Sequence, residues 1–246
     1  MPRVVRHFTE VPRPCSYLPD EQASLEYQLL THVLPSDFDA MLSRGWRRFG
    51  PAYFRPACAD CSACVSLRLD VNSFTPTTSQ SRAFRRSKRF RVVVGPVRAS
   101  PQKVKLHQAW HGTREDARGW EPSELTLEAY ETQFAFPSST GRELAFYDAD
   151  RLVAVSLIDV TPTAVSAAYF FFAPDIARLS PGVANVMWCV DLARRWGKDF
   201  VYLGYRVEGC ASLVYKARFG PHDLLRQRPG ADESPHWLPA SHKSLK

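Results

Sequence analysis

No apolar run in the sequence reaches the length of a membrane span, and its first residues lack the layout of a signal peptide. A membrane protein is therefore not expected, and a cytoplasmic one is. No internal repeat is present, which sets solenoid and propeller architectures aside. Cysteine is scarce, six in 246 residues, and in a reducing compartment these are not expected to pair as disulfides. Acidic residues are missing from one stretch in particular. Ser81–Arg91 carries Arg82, Arg85, Arg86, Lys88, Arg89 and Arg91 and no Asp or Glu.

What is present is an ordinary packed-domain composition, 45% hydrophobic, with a net charge of +7. A chain of this length makes one large domain or two small ones. The charge means either a basic soluble protein or one with a polyanionic partner, and clustering decides between them. Read as a helix over Ser79–Phe90, the basic stretch puts Arg82, Arg85, Arg86 and Arg89 on one face. Like charges at that spacing repel, and a solvated face is usually mixed in sign, so nucleic acid is the favoured partner. Phe84 and Phe90 read as core anchors.

The longest sheet signal lies between Glu143 and Arg206. Glu143–Tyr147, Arg151–Val160 and Val165–Phe172 are β-branched and aromatic runs, broken at Asp148-Ala149-Asp150 and Thr161-Pro162-Thr163. Aspartate suits turns and proline cannot donate to a ladder, so these strands form an antiparallel meander. A helix follows, with Ser180 as its N-cap, Pro181 at its first position and Gly197 at its end. Phe200–Leu203 is then a strand. Meander, helix, strand is the order of an acetyltransferase-like α/β (α+β) fold. There the loop opening the helix holds phosphate on free N–H groups, which makes Ser180 and Gly182 candidate contacts. The loop lacks the further glycines of a coenzyme A site, which points to another ligand.

Taken in order, residues 1–14 read as irregular, Glu21–Val33 as a helix capped by Asp20, and Ser36 to Gly45 as a short helix with a capping box from Ser36 and Asp39. Val65–Val71 alternates as a half-buried strand, Val92–Val97 is another, and Ser100-Pro101 opens a helix through His111. Gly112–Glu124 reads as a charged loop, and Thr126 caps a helix with Leu127, Tyr130 and Phe134 on one face. Tyr215–Phe219 reads as a closing strand. The simplest division is an N-terminal lobe (1–95) with the cysteines and basic helix, a transfer lobe (96–228) and a loose tail (229–246).

Cys58, Cys61 and Cys64 have two residues between each pair of neighbours, and Cys15 lies well upstream. Three thiols at that spacing plus a distant fourth suffice for zinc or an iron–sulfur cluster, with the spacing leaning toward the cluster. The alternative is a set of buried thiols with one redox pair. Cys189 reads as a small core residue.

Cys15-Ser-Tyr-Leu-Pro, Trp46-Arg-Arg-Phe-Gly, Tyr53-Phe-Arg-Pro-Ala-Cys-Ala-Asp-Cys-Ser-Ala-Cys64 and the Arg-rich helix resemble the N-terminal half of the bacterial aspartate/glutamate leucyltransferases, relatives of the arginyltransferases. Asp159-Val, Ser166-Ala-Ala-Tyr-Phe-Phe-Phe, Pro174-Asp175, Tyr202-Leu-Gly-Tyr205 and Tyr215-Lys-Ala-Arg-Phe219 resemble the C-terminal half. The resemblance implies leucyl transfer from leucyl-tRNA to the N-terminal amine of proteins that begin with Asp or Glu, marking them for N-degron degradation. It also implies an iron–sulfur cluster, as in the eukaryotic relatives, and no nucleotide cofactor. The chain departs from the family pattern at Pro181, at Arg206-Val207 and at Trp110.

The aminoacyl ester is already activated, so positioning can supply much of the acceleration. Asp159 is the candidate base, with Ser166, Tyr169 and Tyr205 as candidates around the ester. An acidic acceptor end needs a cation, and Arg48, Arg206, Lys216 and Arg218 are the candidates, with Tyr215 beside them. The rival readings are an arginyl donor, a coenzyme A-dependent N-acetyltransferase and a non-catalytic RNA-binding module.

Overall fold

The computed structural model describes residues 2–118 and 124–240. The N-terminal part is built from β1 (Arg3–Thr9), β2 (Arg13–Pro14), β3 (Gln22–Ala23), β4 (Leu25–Thr31), α1 (Pro35–Ser43), β5 (Arg47–Phe49) and β6 (Ala52–Pro56). Next come β7 (Cys64–Asp70), α2 (Thr78–Ser87), β8 (Arg91–Gly95), α3 (Pro101–Arg118) and α4 (Leu127–Gln133). The meander is β9 (Gly141–Asp148), β10 (Arg151–Val160) and β11 (Ala164–Phe172). A 3₁₀ turn over Pro174–Leu179 leads into α5 (Pro181–Arg195) and β12 (Phe200–Val207). The chain closes through α6 (Ala211–Val214), β13 (Asp223–Leu225) and β14 (Leu238–Pro239).

The strands form a small antiparallel sheet, β1-β4-β6-β5, a ribbon of β2 and β3, and a large sheet in the order β14-β13-β7-β12-β11-β10-β9-β8. All neighbours in the large sheet run antiparallel except β11 and β12, which are parallel and joined through α5. Meander, crossover helix and parallel strand make the acetyltransferase-like arrangement expected. Tyr169 and Phe171 of β11 meet His107 of α3, while Phe170 shares a pocket wall with Pro181 and Ala184 of α5. The two helices therefore cover opposite faces, which is why β10 and β11 read as nearly continuous apolar runs. The core holds Val155, Phe171, Val190, Leu67 and Phe219, with Phe90 buried and Phe84 packed at its edge against Trp188. A second cluster, including Phe38, Leu42, Trp46, Ala164 and Tyr202, joins the small sheet and α1 to the large one.

Several local expectations are corrected. Residues 3–9 are a strand, and Glu21–Val33 is not a helix: Leu25–Thr31 pairs with β1 on one side and β6 on the other. Leu34, not Ser36, occupies the N-cap of α1, where its side chain makes no capping bond, and only half of a box is present, with Asp37 Oδ2 accepting the Leu34 N–H at 3.0 Å. Asp39 instead accepts hydrogen bonds from the hydroxyls of Thr161 and Thr163, pinning α1 to the meander's second turn. Ser180 occupies the N-cap of α5 with a left-handed φ of 56°, and its side chain makes no capping bond. Helix α3 runs to Arg118, past His111 and into the expected loop, whose residues 119–123 lie outside the described residues. Thr126 caps α4 as expected, but Leu127 is exposed.

Tyr215–Arg218 is a 3₁₀ turn, not a strand. It carries Lys216 back to β12 and lets Gln80 Nε2 donate to the Arg218 carbonyl at 2.9 Å. The division at residue 95 does not coincide with the sheets, because β7 lies between β12 and β13 and β8 forms the far edge of the same large sheet. Nor are residues 229–240 loose. The Pro229 and Gly230 carbonyls accept from Arg55 and Arg44, Trp237 packs on Tyr202, and β14 pairs with β13. Residues 241–246 lie outside the described residues.

Candidate active site between the two sheets

The parallel strands β11 and β12 pair only along Ala164–Ser166 and Phe200–Tyr202, although β11 continues to Phe172 and β12 to Val207. Beyond Ser166 and Tyr202 they part. Both run toward the split, and the crossover brings the N-terminus of α5 to that same end of the sheet. Ends of parallel strands where neighbours diverge are where α/β folds hold ligands. On its other side β12 loses register with β7 between Tyr202 and Tyr205. Gly204 sits in this irregularity at φ +76°, and a Cβ there would lie 3.4 Å from Lys216 Nζ. Glycine thus permits both the backbone and the approach of the lysine.

The short strand β5 projects its two arginines to different surroundings. Arg48 is clamped to Asp159: Nη2 and Nε donate to Oδ1 at 2.5 and 3.2 Å, and the Thr140 hydroxyl donates to the same oxygen at 2.8 Å. Both side chains are buried. Burial works against the Arg48 charge, but the adjacent carboxylate outweighs it and raises the guanidinium above its ordinary value. Arg47, 7% exposed, donates through Nη1 to the Trp46 carbonyl at 2.7 Å and through Nη2 to the Gly204 carbonyl at 3.3 Å. Its guanidinium lies 5.5 Å from the Tyr202 ring centre and 5.2 Å from that of Tyr205. Burial lowers its pKa from the ordinary value. Lys216 Nζ donates to the Tyr205 carbonyl at 3.0 Å, and burial, helped by Arg47, pushes its pKa down to about 8. The Tyr205 hydroxyl donates to the Gly45 carbonyl at 2.9 Å, and burial raises its pKa.

Tyr205 and Gly45 also wall a cavity of about 130 Å³ between the sheets. Arg13, Arg44, Arg55, Arg226 and Arg228 line it with Cys15, Cys58, Cys61 and Cys64, and no carboxylate among the described residues does. The four thiols are free. Burial and then its neighbours Cys58, Cys15, Cys61 and Cys210 push the Cys64 thiol up to about 12. The Tyr17 and Ser24 backbone N–H groups donate to Cys15 and Cys58 sulfur at 3.4 and 3.5 Å. Sulfur ligands, N–H donors to sulfur and surrounding guanidiniums are the chemistry that suits an anionic thiolate–metal group. As the side chains stand, no three His, Cys, Asp or Glu among the described residues converge closely enough to hold a metal ion.

The structure brings Tyr205, Lys216 and the cysteine set together and separates the other candidates. Asp159, 1% exposed, is held by Arg48 and Thr140, so it is not poised as a free base, and Arg48 is not a free cation. Ser166 is buried opposite Asp159 on β11. Tyr169 belongs to an aromatic cluster with Phe49, Phe134 and His107, on the α3 side of the sheet. Arg206 is buried on β12, Tyr215 packs edge-on to Phe219, and Arg218 is exposed. Arg82, Arg85 and Arg86 share the exposed face of α2, which ends at Ser87 and not at Phe90, so Arg89 lies in the turn beyond it, exposed and reaching Asp148 at 2.9 Å. Trp188 Nε1 donates to Ser87 at 2.9 Å, which docks α2 on α5, whose N-cap is the exposed Ser180 and whose first turn contains the half-buried Gly182. Arg47 and the cavity arginines were not singled out from sequence. Trp46-Arg47-Arg48 was the available signal, but the motif does not say which arginine receives the carboxylate.

Comparison with known proteins gives the following. The family described as "Arginine-tRNA-protein transferase, C terminus" matches residues 102–226, and its N-terminus counterpart matches residues 13–82. An aspartate/glutamate leucyltransferase of Campylobacter jejuni is 32% identical over 220 residues, covering 89% of this chain and 92% of its own. One from Helicobacter hepaticus is 28% identical over 236 residues, covering 96% and 98%. The solved structure of L-PGS from Bacillus licheniformis overlaps with a TM-score of 0.48 at 11% identity, over 78% of this chain and 66% of that one.

Proposed function

The chain belongs to the arginine-tRNA-protein transferase family, and from that premise we propose that it transfers leucine from leucyl-tRNA to the N-terminal amine of proteins that begin with Asp or Glu. The observation that carries this reading is the match to relatives named aspartate/glutamate leucyltransferase along nearly the full length of both chains. The geometry supports it with a split between parallel strands, walled by tyrosines and cations, beside a helix with an exposed basic face.

The reaction exchanges an ester for an amide. The acceptor's neutral amine attacks the aminoacyl carbonyl carbon, the C–N bond forms, and the C–O bond to the terminal ribose breaks. The proton released from nitrogen returns to the departing ribose oxygen through solvent. An α-amine has a pKa of about 7.7–8.0, so roughly a tenth of it is already neutral at pH 7. Holding amine and ester together is then the main task. The split beside Ser166 and Tyr202 is the proposed seat of the ester, with Tyr205 on its wall. Arg82, Arg85, Arg86 and Arg89 are proposed to track the tRNA backbone, with Ser180 and Gly182 at the helix end nearest the ester.

Cys15, Cys58, Cys61 and Cys64 are proposed to hold zinc or an iron–sulfur cluster. When bound, that group would tie the segment after β2 to the start of β7. A cytoplasmic location is proposed because charged tRNA is the donor; no helix among the described residues is long and apolar enough to cross a membrane. The product, a protein with a new N-terminal leucine, is proposed to enter N-degron degradation.

The donor is tested by offering the purified protein leucyl-tRNA, arginyl-tRNA and acetyl-coenzyme A separately with a peptide that begins with Asp. Leucine addition alone is expected. Arginine addition would move the donor assignment, acetylation would replace the reading with an acetyltransferase, and RNA binding without a product would leave a binding module.

A further inference from the structure

We propose that Arg47 and Lys216 together hold the side-chain carboxylate of the acceptor's N-terminal residue. The inference rests on the leucyltransferase reading and names the groups that give it acidic specificity. It starts from the irregularity in β12. The carbonyls of Gly204 and Tyr205, two consecutive residues, accept from Arg47 Nη2 and Lys216 Nζ. Two cations are thereby fixed side by side where β12 has left β11.

Neither cation has a carboxylate partner among the described residues. Among the other buried cations, Arg48 is paired with Asp159 and Lys103 with Glu143, and the half-buried Arg55 is paired with Glu26, while Arg206, buried on β12, has no ion pair among the described residues. A buried charge without a counter-ion is costly, and two adjacent ones repel. The rings of Tyr202 and Tyr205 offset part of that cost through their negative faces, but they supply no negative charge. Arg47 Nε is buried without a hydrogen-bond partner. A guanidinium carries five N–H donors in a fixed fork, of which the Trp46 and Gly204 carbonyls take two, so three remain. Lys216 keeps two of its three. Donors left over on two adjacent cations, one buried and one half-buried, are what a carboxylate would satisfy, as a bidentate acceptor from arginine and a partner for lysine.

Arg47 and Lys216 do not themselves line the cavity, but Tyr205 stands between it and them. Tyr205, 5.2 Å from the Arg47 guanidinium, lies on the wall of the cavity that arginines line and no described carboxylate does. Lys216 is only half-buried and is the member of the pair nearer to solvent. Of the cations named from sequence, Arg48 is already neutralised, so Arg47 takes the place that the motif left ambiguous.

The test measures kcat/KM for leucyl transfer to otherwise identical peptides beginning with Asp and with Asn, together with Kd for leucyl-tRNA. In Arg47→Met the Asp peptide should lose roughly 100-fold and the Asp-to-Asn preference should collapse, with Kd for leucyl-tRNA unchanged. Lys216→Met should shift the preference in the same direction. Equal losses on both peptides would assign the cations to the reacting centre, and a matching loss of leucyl-tRNA affinity would assign them to a phosphate; either result overturns the proposal. Thermal melts check folding, and Arg47→Lys, which keeps the charge but not the fork, reads the same ratio should Arg47→Met not fold. If the wild-type protein transfers leucine to no peptide, the leucyltransferase reading fails. Calorimetric binding of the two peptides then decides the carboxylate site by itself: preference for Asp lost in either variant supports it, and no preference refutes it.

Discussion

Replacing Asp159 with Asn separates a structural carboxylate from a catalytic one. Asp159 is 1% exposed, and one of its oxygens accepts from Arg48 Nη2, Arg48 Nε and the Thr140 hydroxyl. An amide of the same shape cannot neutralise Arg48, which would be left buried and uncompensated. Breaking a buried pair from one side costs about 3–5 kcal/mol. For a domain of this size each kcal/mol lowers Tm by about 2–4 °C, so a fall of roughly 6–20 °C is expected. Urea melts should show the same loss as a lower midpoint at unchanged slope. Replacing both partners, Arg48→Met with Asp159→Leu, should recover much of the stability, because two apolar groups leave no orphaned charge. An Asp159→Asn protein that melts within a degree or two of wild type and yet transfers no leucine would refute this reasoning and restore Asp159 as the base.

Three further outcomes are expected. Reversing Arg85 and Arg86 to Glu should weaken leucyl-tRNA binding and flatten its dependence on salt, because fewer counterions are released; unchanged binding would make α2 a solvated face. Transfer to an Asp acceptor should rise with pH as the α-amine deprotonates and fall again as pH passes about 8, where Lys216 loses its charge. In the fold Lys216 has a pKa below its ordinary value, so the unfolded chain binds more protons between those values. Stability should therefore rise with pH above about 8, and Lys216→Met should remove that slope. Finally, protein prepared without oxygen and supplied with zinc, or with iron and sulfide, should retain metal by elemental analysis, and replacing Cys58, Cys61 and Cys64 with Ser should abolish retention. Wild-type protein that stays metal-free would leave these residues as buried thiols.

The meander, α5 and the basic helix were readable in sequence because their signals are local: β-branched runs, a proline at a helix start, arginines at helical spacing. Strand β4 was misread because Leu25, Leu29 and Leu30 fall at spacings that a helix also produces. Its true partners, β1 and β6, lie far enough along the chain that no local window contains them. The same limit hid the place of β7, which joins the large sheet only because residues beyond 200 pair with it. Tyr215–Phe219 has the composition of a strand, yet it turns so that Lys216 can reach β12. The site was legible as motifs and not as roles. Arg47 and Arg48 are adjacent in sequence, and only the fold gives a carboxylate to one and leaves the other without. The cavity arginines Arg226 and Arg228 carried no motif to mark them.

The most direct test of the central claim is the acceptor experiment with the donor fixed as leucyl-tRNA. Peptides that begin with Asp, Glu and Ala are incubated with the purified protein, and the products are weighed by mass spectrometry. The account predicts a single added leucine on the Asp and Glu peptides and none on the Ala peptide. Leucine added equally to all three, or to none of them, would contradict it.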